Sequence, residues 1–199
     1  MGKLLWCLSV VSVFVLFLAG CGHTQKMYGE EELVEELKSR PDWVTDPLKA
    51  DKEKYYAVGV SEYLLLQNMA LAAGETDAQR VMSSNVGSEF SALLRTVIVQ
   101  QKLAISPEEM AQLVEYATGT KVKKMRIPSN REDFYLARFK RYEGNEVKYY
   151  WRSWVLLSAT NADIQQAKRD LKNGAANKAY EMNLSEAKRL KGELDKIME

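Results

Sequence analysis

The sequence predicts an α+β fold, with two layers and helices packed on one face of a mostly antiparallel four-stranded sheet, and three observations carry this. Apolar residues recur at three- and four-residue spacing over nearly forty positions from Leu65, which is helical periodicity. Short runs alternating aromatic and β-branched residues lie on both sides of that stretch, at 54–62 and beyond 120, and read as strands. The order is strand, long helix, short helix and then a meander of strands, which packs most simply as helices on one side of a sheet.

The first segment is a targeting signal. Lys3 precedes seventeen uncharged residues, Leu4 to Gly20, and the run stops at Cys21, with the chain's one histidine, His23, two places beyond. That layout is a signal peptide. A retained membrane anchor is the competing reading, because roughly 17 to 25 apolar residues can span a bilayer. The ending decides between them. Leu18-Ala19-Gly20-Cys21 resembles the lipobox of bacterial lipoproteins, which implies cleavage after Gly20 and a lipid (diacylglyceryl, palmitate-labelled) on the Cys21 thiol. Each buried acyl methylene contributes about 0.8 kcal/mol, so two or three chains anchor the protein durably to a membrane. Gly22 stands where an Asp would signal retention at the inner membrane, which implies the outer membrane, on its periplasmic face.

Composition removes several chemistries. The chain has two Cys and one His. With Cys7 in the signal, Cys21 acylated and His23 in the tether, no thiol or imidazole remains for nucleophilic catalysis, a zinc site or a disulfide. No metal or other cofactor is expected. The 28 Lys and Arg, less Lys3, balance the 27 Asp and Glu, so there is no basic excess of the kind nucleic-acid binding demands.

The elements follow in order. Gly22 to Tyr28 is a short polar tether, and residues 21–40 form one unit with it. "GEEELVEELKSR", 29 to 40, places Leu33, Val34 and Leu37 on one side and acids on the other, which predicts a short helix stopped by Pro41. "RPDWVTDP" is an extended stretch delivering Trp43 to an apolar contact. "KYYAVGVSE", 54 to 62, is a strand. The long helix runs from about Leu65 to Gln101, with Ala72, Ala73, Gly74 and Gly87 letting it approach a sheet closely. "SPEEMAQLVEYATG" is a second helix: Ser106 caps it, Pro107 opens it, Glu109 completes a capping box and Gly119 follows its end. Strands are expected at Lys121 to Ile127, Asp133 to Tyr142 and Val147 to Ser158, the last two joined by a "YEGNE" turn.

With the lipobox, "PDWV", "YYAVGVSE", the helix containing "DAQRVMSSNVGSEF" and the strand ending "WVLLS" in place, the chain resembles the LPP-twenty family of bacterial lipoproteins, which includes a flagellar-disk lipoprotein of the outer membrane. The likeness covers roughly Pro41 to Ser158. It implies a lipid-tethered domain at 41–158, able to fold alone, that assembles with itself or with envelope machinery, in some members around the flagellum. It supplies no catalytic residues. The tail, 159–199, has no counterpart in that pattern. It reads as a helical extension in which Asp163 caps a helix; either it folds back on its own domain or frays in solvent, or its Leu190, Leu194 and Ile197 stripe docks on a neighbouring subunit.

Candidate sites compete with plainer readings. Glu108 and Glu109 are better explained by the helix macrodipole than by acid-base catalysis, and Glu30 to Glu32 with Glu35 and Glu36 by a solvated face than by a cation site. Tyr149, Tyr150, Trp151 and Trp154 form the densest aromatic cluster. In a strand Tyr149 and Trp151 share one face and Tyr150 and Trp154 the other, one face for packing and one for binding glycan or peptide. "KVKKMR" and "RFKRY" place positive charge on adjacent strands, as edge protection or as a patch for acidic partners. The expected function is that of a non-enzymatic, lipid-anchored envelope protein. A ligand-binding module with an apolar pocket between helix and sheet, for a lipid or peptidoglycan fragment, is the first alternative. An activator of cell-wall synthesis is the second, and it is disfavoured by a tether of seven or eight residues reaching only about 25 Å.

Overall fold

The structure is a computed structural model that describes residues 29–197, apart from Lys49, Lys52 and Asn145 and the side chains of Thr120 and Lys121. The signal peptide, the lipobox residues Leu18, Ala19, Gly20 and Cys21, and the tether to Tyr28 lie outside the described residues. Four strands, β1 (Glu31–Glu36), β2 (Lys54–Val60), β3 (Asn130–Glu143) and β4 (Glu146–Thr160), form one antiparallel sheet in the order β1-β3-β4-β2. Four helices, α1 (Gln67–Gln100), α2 (Pro107–Glu115), α3 (Asn161–Glu181) and α4 (Ala187–Ile197), complete the α+β fold. No described helix is long and apolar enough to cross a membrane.

The long hairpin of β3 and β4 is the spine. Gly144 turns it with a φ of +65°, a conformation open to glycine at no steric cost. β2 flanks only the part of β4 from Trp154 to Thr160. α1 starts near Trp151, with Ser153 Oγ donating to the Ala70 carbonyl at 2.7 Å, and runs back over the sheet. The hairpin end therefore projects past the start of α1. Close approach of α1 to β2 depends on absent side chains. A Cβ at Gly59 would overlap the Ala78 amide and the Gly74 carbonyl, so helix and strand meet backbone to backbone.

Past the sheet, the second half of α1 enters a helical end. Phe90, Leu94 and Val97 of α1 are buried with Leu113 of α2, Ile164 and Leu171 of α3, and Leu190 and Leu194 of α4 in one core. α2 has the expected capping box, with Ser106 Oγ accepting from the Glu109 amide and Glu109 accepting from the Ser106 amide.

Four expectations need correction. Within "RPDWVTDP", Asp42–Val44 is a 3-10 turn and not extended, although it does deliver Trp43 to an apolar contact. Residues 31–36 are a strand, not a helix: Glu31, Glu32 and Glu35 lie within 4.0 Å of Arg141, Lys140 and Arg138 on β3, and these cross-strand pairs override the helix propensity of Glu and Leu. Residues 121–127 are not a strand. Tyr116–Lys121 is a π-helical turn and Val122–Lys124 a single α turn, because Val122 seats on Gly87 of α1 and Ile127 is buried in the core. Finally, the tail is helical over Asn161–Glu181 and Ala187–Ile197, as expected, and it is folded back on its own domain rather than docked on a neighbour. Thr160 caps α3 by accepting from the Asp163 amide, a role expected of Asp163. Leu190 and Leu194 are 0% exposed against the protein's own core while Ile197 is 49% exposed, so the stripe expected to dock on a neighbour is already covered. A domain ending at Ser158 would lose part of this core.

Candidate functional site

The two faces of the sheet differ in chemistry. On β4, Ser153, Val155, Leu157 and Ala159 face the helices, and the alternate positions Tyr150, Arg152, Trp154 and Leu156 face away. On β3, Tyr135, Ala137, Phe139 and Arg141 join the latter set. Trp43 covers the lower part of this outer face, packed with Tyr135 and Leu156. Its indole N–H donates to Asp133 at 3.0 Å. Burial tends to raise the Asp133 carboxyl, but bonds from Lys38, Trp43 and the Phe134 amide outweigh it and hold the group below the usual carboxylate range.

Above Trp43 the face is a lattice of rings and guanidinium groups. Tyr63 meets Phe139 edge-on at 5.6 Å and Tyr150 at 6.3 Å, and Trp154 lies 5.2 Å from Tyr135. Arg141 and Arg152 sit over the Tyr63 ring at 5.0 and 5.1 Å, Arg152 also over Trp154 at 5.1 Å, and Arg40 over Trp154 at 6.0 Å. Contacts of this kind contribute about 0.5–1 kcal/mol each at exposed sites. The Tyr63 hydroxyl accepts from Arg152 at 3.1 Å and donates to Glu31. Burial, then the Glu31 bond, raises its pKa against the opposing pull of Arg152. A shallow groove of about 490 Å³ opens here, lined by Val60, Ser61, Glu62, Tyr63, Arg141 and Arg152.

The structure separates the four aromatic residues singled out in the sequence as the strand alternation requires. Trp154 and Tyr150 belong to the outer lattice. Tyr150 donates to Glu143 at 2.9 Å, and that bond, with burial, raises its pKa. Tyr149 and Trp151 lie on the helix side of the projecting hairpin, where the Arg138 guanidinium stands 4.9 and 5.8 Å from their rings. Tyr149 is 43% exposed, and Val147, Leu65 and Leu66 are also exposed. Leu65, Leu66, Leu71 and Trp151 line a second open groove.

Tyr63 and Arg152 were missed in the sequence, while Phe139 and Arg141 fall in "RFKRY", singled out there for its charge and not joined to the aromatic cluster. Alternation along "DFYLARFKRY" puts Tyr135, Phe139 and Arg141 on one face, and the hairpin turn sets them opposite Tyr150, Arg152 and Trp154, so the signal was present for all but Tyr63. The outer face and hairpin end present rings and forked cations, groups that pair well with planar, acidic or aromatic chemistry.

No family model, curated protein or solved structure matches the chain.

Proposed function

We propose that the protein is a lipid-anchored cell-envelope protein that works by binding, with Cys21 carrying the lipid and the hairpin end meeting an envelope partner or a second copy. One observation carries the reading. The Gly29 amide donates to the Tyr142 carbonyl at 2.9 Å, so the chain enters the fold at the hairpin end, only eight residues after Cys21. Eight extended residues span at most about 29 Å, so a lipid there keeps the hairpin end, with the exposed Val147 and Tyr149, close to the bilayer. The likeness to the LPP-twenty family supports the same reading and points to self-association or to flagellar machinery as the partner class. The Gly after Cys21 favours the outer membrane.

The apolar-pocket alternative draws less support, since Phe90, Met82, Val86 and Leu157 fill the space between helix and sheet. The test is the mass of the N-terminal peptide from membrane-extracted protein. A diacylglyceryl thioether on Cys21 with nothing before it is expected, and Cys21→Ala should leave a full-length precursor that takes up no labelled palmitate. Sizing in detergent addresses the binding role. The extracted protein should run as an assembly that Tyr149→Ser with Leu65→Ser weakens, whereas a monomer carrying a small molecule would favour the ligand-binding alternative.

A further inference from the structure

The basic run "KVKKMR" does not lie on the sheet. It forms the wall of a groove of about 370 Å³ between α1 and the turn after α2, lined by Gln79, Arg80, Ser84, Thr118, Lys123 and Arg126 among others. No Asp or Glu is among the described residues lining it. Arg80 is fixed at 2.8 Å by Asp77, whose other oxygen accepts from the Val60 amide. Lys123 and Arg126 make no ion pair among the described residues, so the groove carries a net positive charge that nothing within it neutralises. Hydroxyl groups line the rest of it: Ser84 is exposed, Thr118 stands on the opposite wall, and Gln79, whose Nε2 donates to Ser129, closes one side.

We propose that this groove binds an acidic sugar, its carboxylate or phosphate on Lys123 and Arg126 and its hydroxyl groups on Ser84 and Thr118. Guanidinium and ammonium groups supply charge-assisted bonds to the anion. The Thr118 hydroxyl, which donates to the Val114 carbonyl at 2.8 Å, keeps lone pairs free to accept from a sugar hydroxyl. The volume fits one or two sugar rings. The groove lies away from the hairpin end, so the proposal is independent of how the protein is anchored.

The test is an amide-resolved NMR titration of the unacylated chain from Gly22 onward, which holds every described residue. The probes are N-acetylmuramic acid, which carries a carboxylate, and glucose 1-phosphate. Glucose, N-acetylglucosamine and inorganic phosphate are the controls. Saturable shifts confined to residues 76–84 and 118–126 are expected with at least one acidic sugar, and its identity decides between carboxylate and phosphate. Neutral sugars should produce none. Changing Lys123 and Arg126 together to Gln should weaken binding about tenfold or more, the loss expected for hydrogen bonds to charged groups. Arg126→Lys should retain most of it, and a spectrum unchanged outside the groove shows that each variant is folded. The proposal is overturned if neither acidic sugar moves those amides, if the double variant binds as well as the parent, or if inorganic phosphate reproduces the whole response at the same affinity, which marks an adventitious ion only.

Discussion

The two faces of one sheet are stabilised by opposite means. Where α1 crosses the sheet, the β4 residues Ser153, Val155, Leu157 and Ala159 are small or aliphatic, the backbones touch at Gly59, and the Ser153 hydroxyl is satisfied locally. On the outer side large rings and guanidinium groups interleave above Trp43. Close packing of the first kind tolerates little change in volume. A lattice of the second kind, half in water, is stable and still presents rings and cations to a partner. The lesson is that alternate residues of the same strands build two faces of different chemistry, one close-packed against helices and one of rings and cations half in water.

This contrast can be broken most severely at Gly59. Gly59→Val should prevent folding, and even Gly59→Ala should cost about 3 kcal/mol or more, because the new carbon meets backbone atoms that cannot move aside. Loss of cooperative thermal unfolding is the readout. The next effect lies at the helical end. Leu190→Ala should destabilise by about 2–5 kcal/mol in urea, while Ile197→Ala, at an exposed position of the same helix, should stay within about 0.5 kcal/mol. Truncation after Thr160 should expose Leu94 and Leu113 and lower stability further rather than release an intact domain.

On the outer face the same experiment should read smaller numbers. Arg152→Ala removes two ring contacts and the bond to Tyr63, and about 1–2 kcal/mol is expected for this half-buried group. A loss as large as that of Leu190→Ala would erase the distinction between the faces.

These ranks follow from particular residues, and so does what the sequence revealed of them. The capping box at Ser106, the strand alternation of 147–158 and the period of α1 were legible because each is a local pattern. β1 was not, because Glu, Leu and Val at 31–36 favour a helix until β3 supplies Arg138, Lys140 and Arg141 opposite them. The segment 121–127 looked like a strand for the same reason: only the seat of Val122 on Gly87 of α1 bends it. The tail was legible as helical, but its burial depended on the core left open beyond the sheet by the length of α1. For the candidate surface, the aromatic residues of β4 were visible, while Tyr63 is brought to them by the path after β2, which no local pattern encodes.

A last, smaller difference is read at high pH. Burial, with the Glu89 carboxylate beside it, pushes Tyr55 up to about 12, and burial with a bond to Glu36 does the same for Tyr135. Both values exceed the ordinary tyrosine value of about 10. The stability these groups lend is fully present below pH about 10 and is lost as pH rises through about 12, since the unfolded chain ionises first. Tyr55→Phe on the helix side and Tyr135→Phe on the outer side should each flatten part of that alkaline loss, seen in urea midpoints across the window.

The central claim is that the C-terminal helices and α1 form one cooperative core, with the hairpin end as the exposed working surface. Native-state hydrogen exchange read along the whole chain tests it most directly. Buried amides of α3 and α4 should open only with those of α1 around Phe90 to Ile98, at the free energy of global unfolding, while the hairpin end from Tyr142 to Tyr149 exchanges by local opening at much lower cost. Exchange of α3 and α4 well before α1, as a separately melting tail, would contradict it.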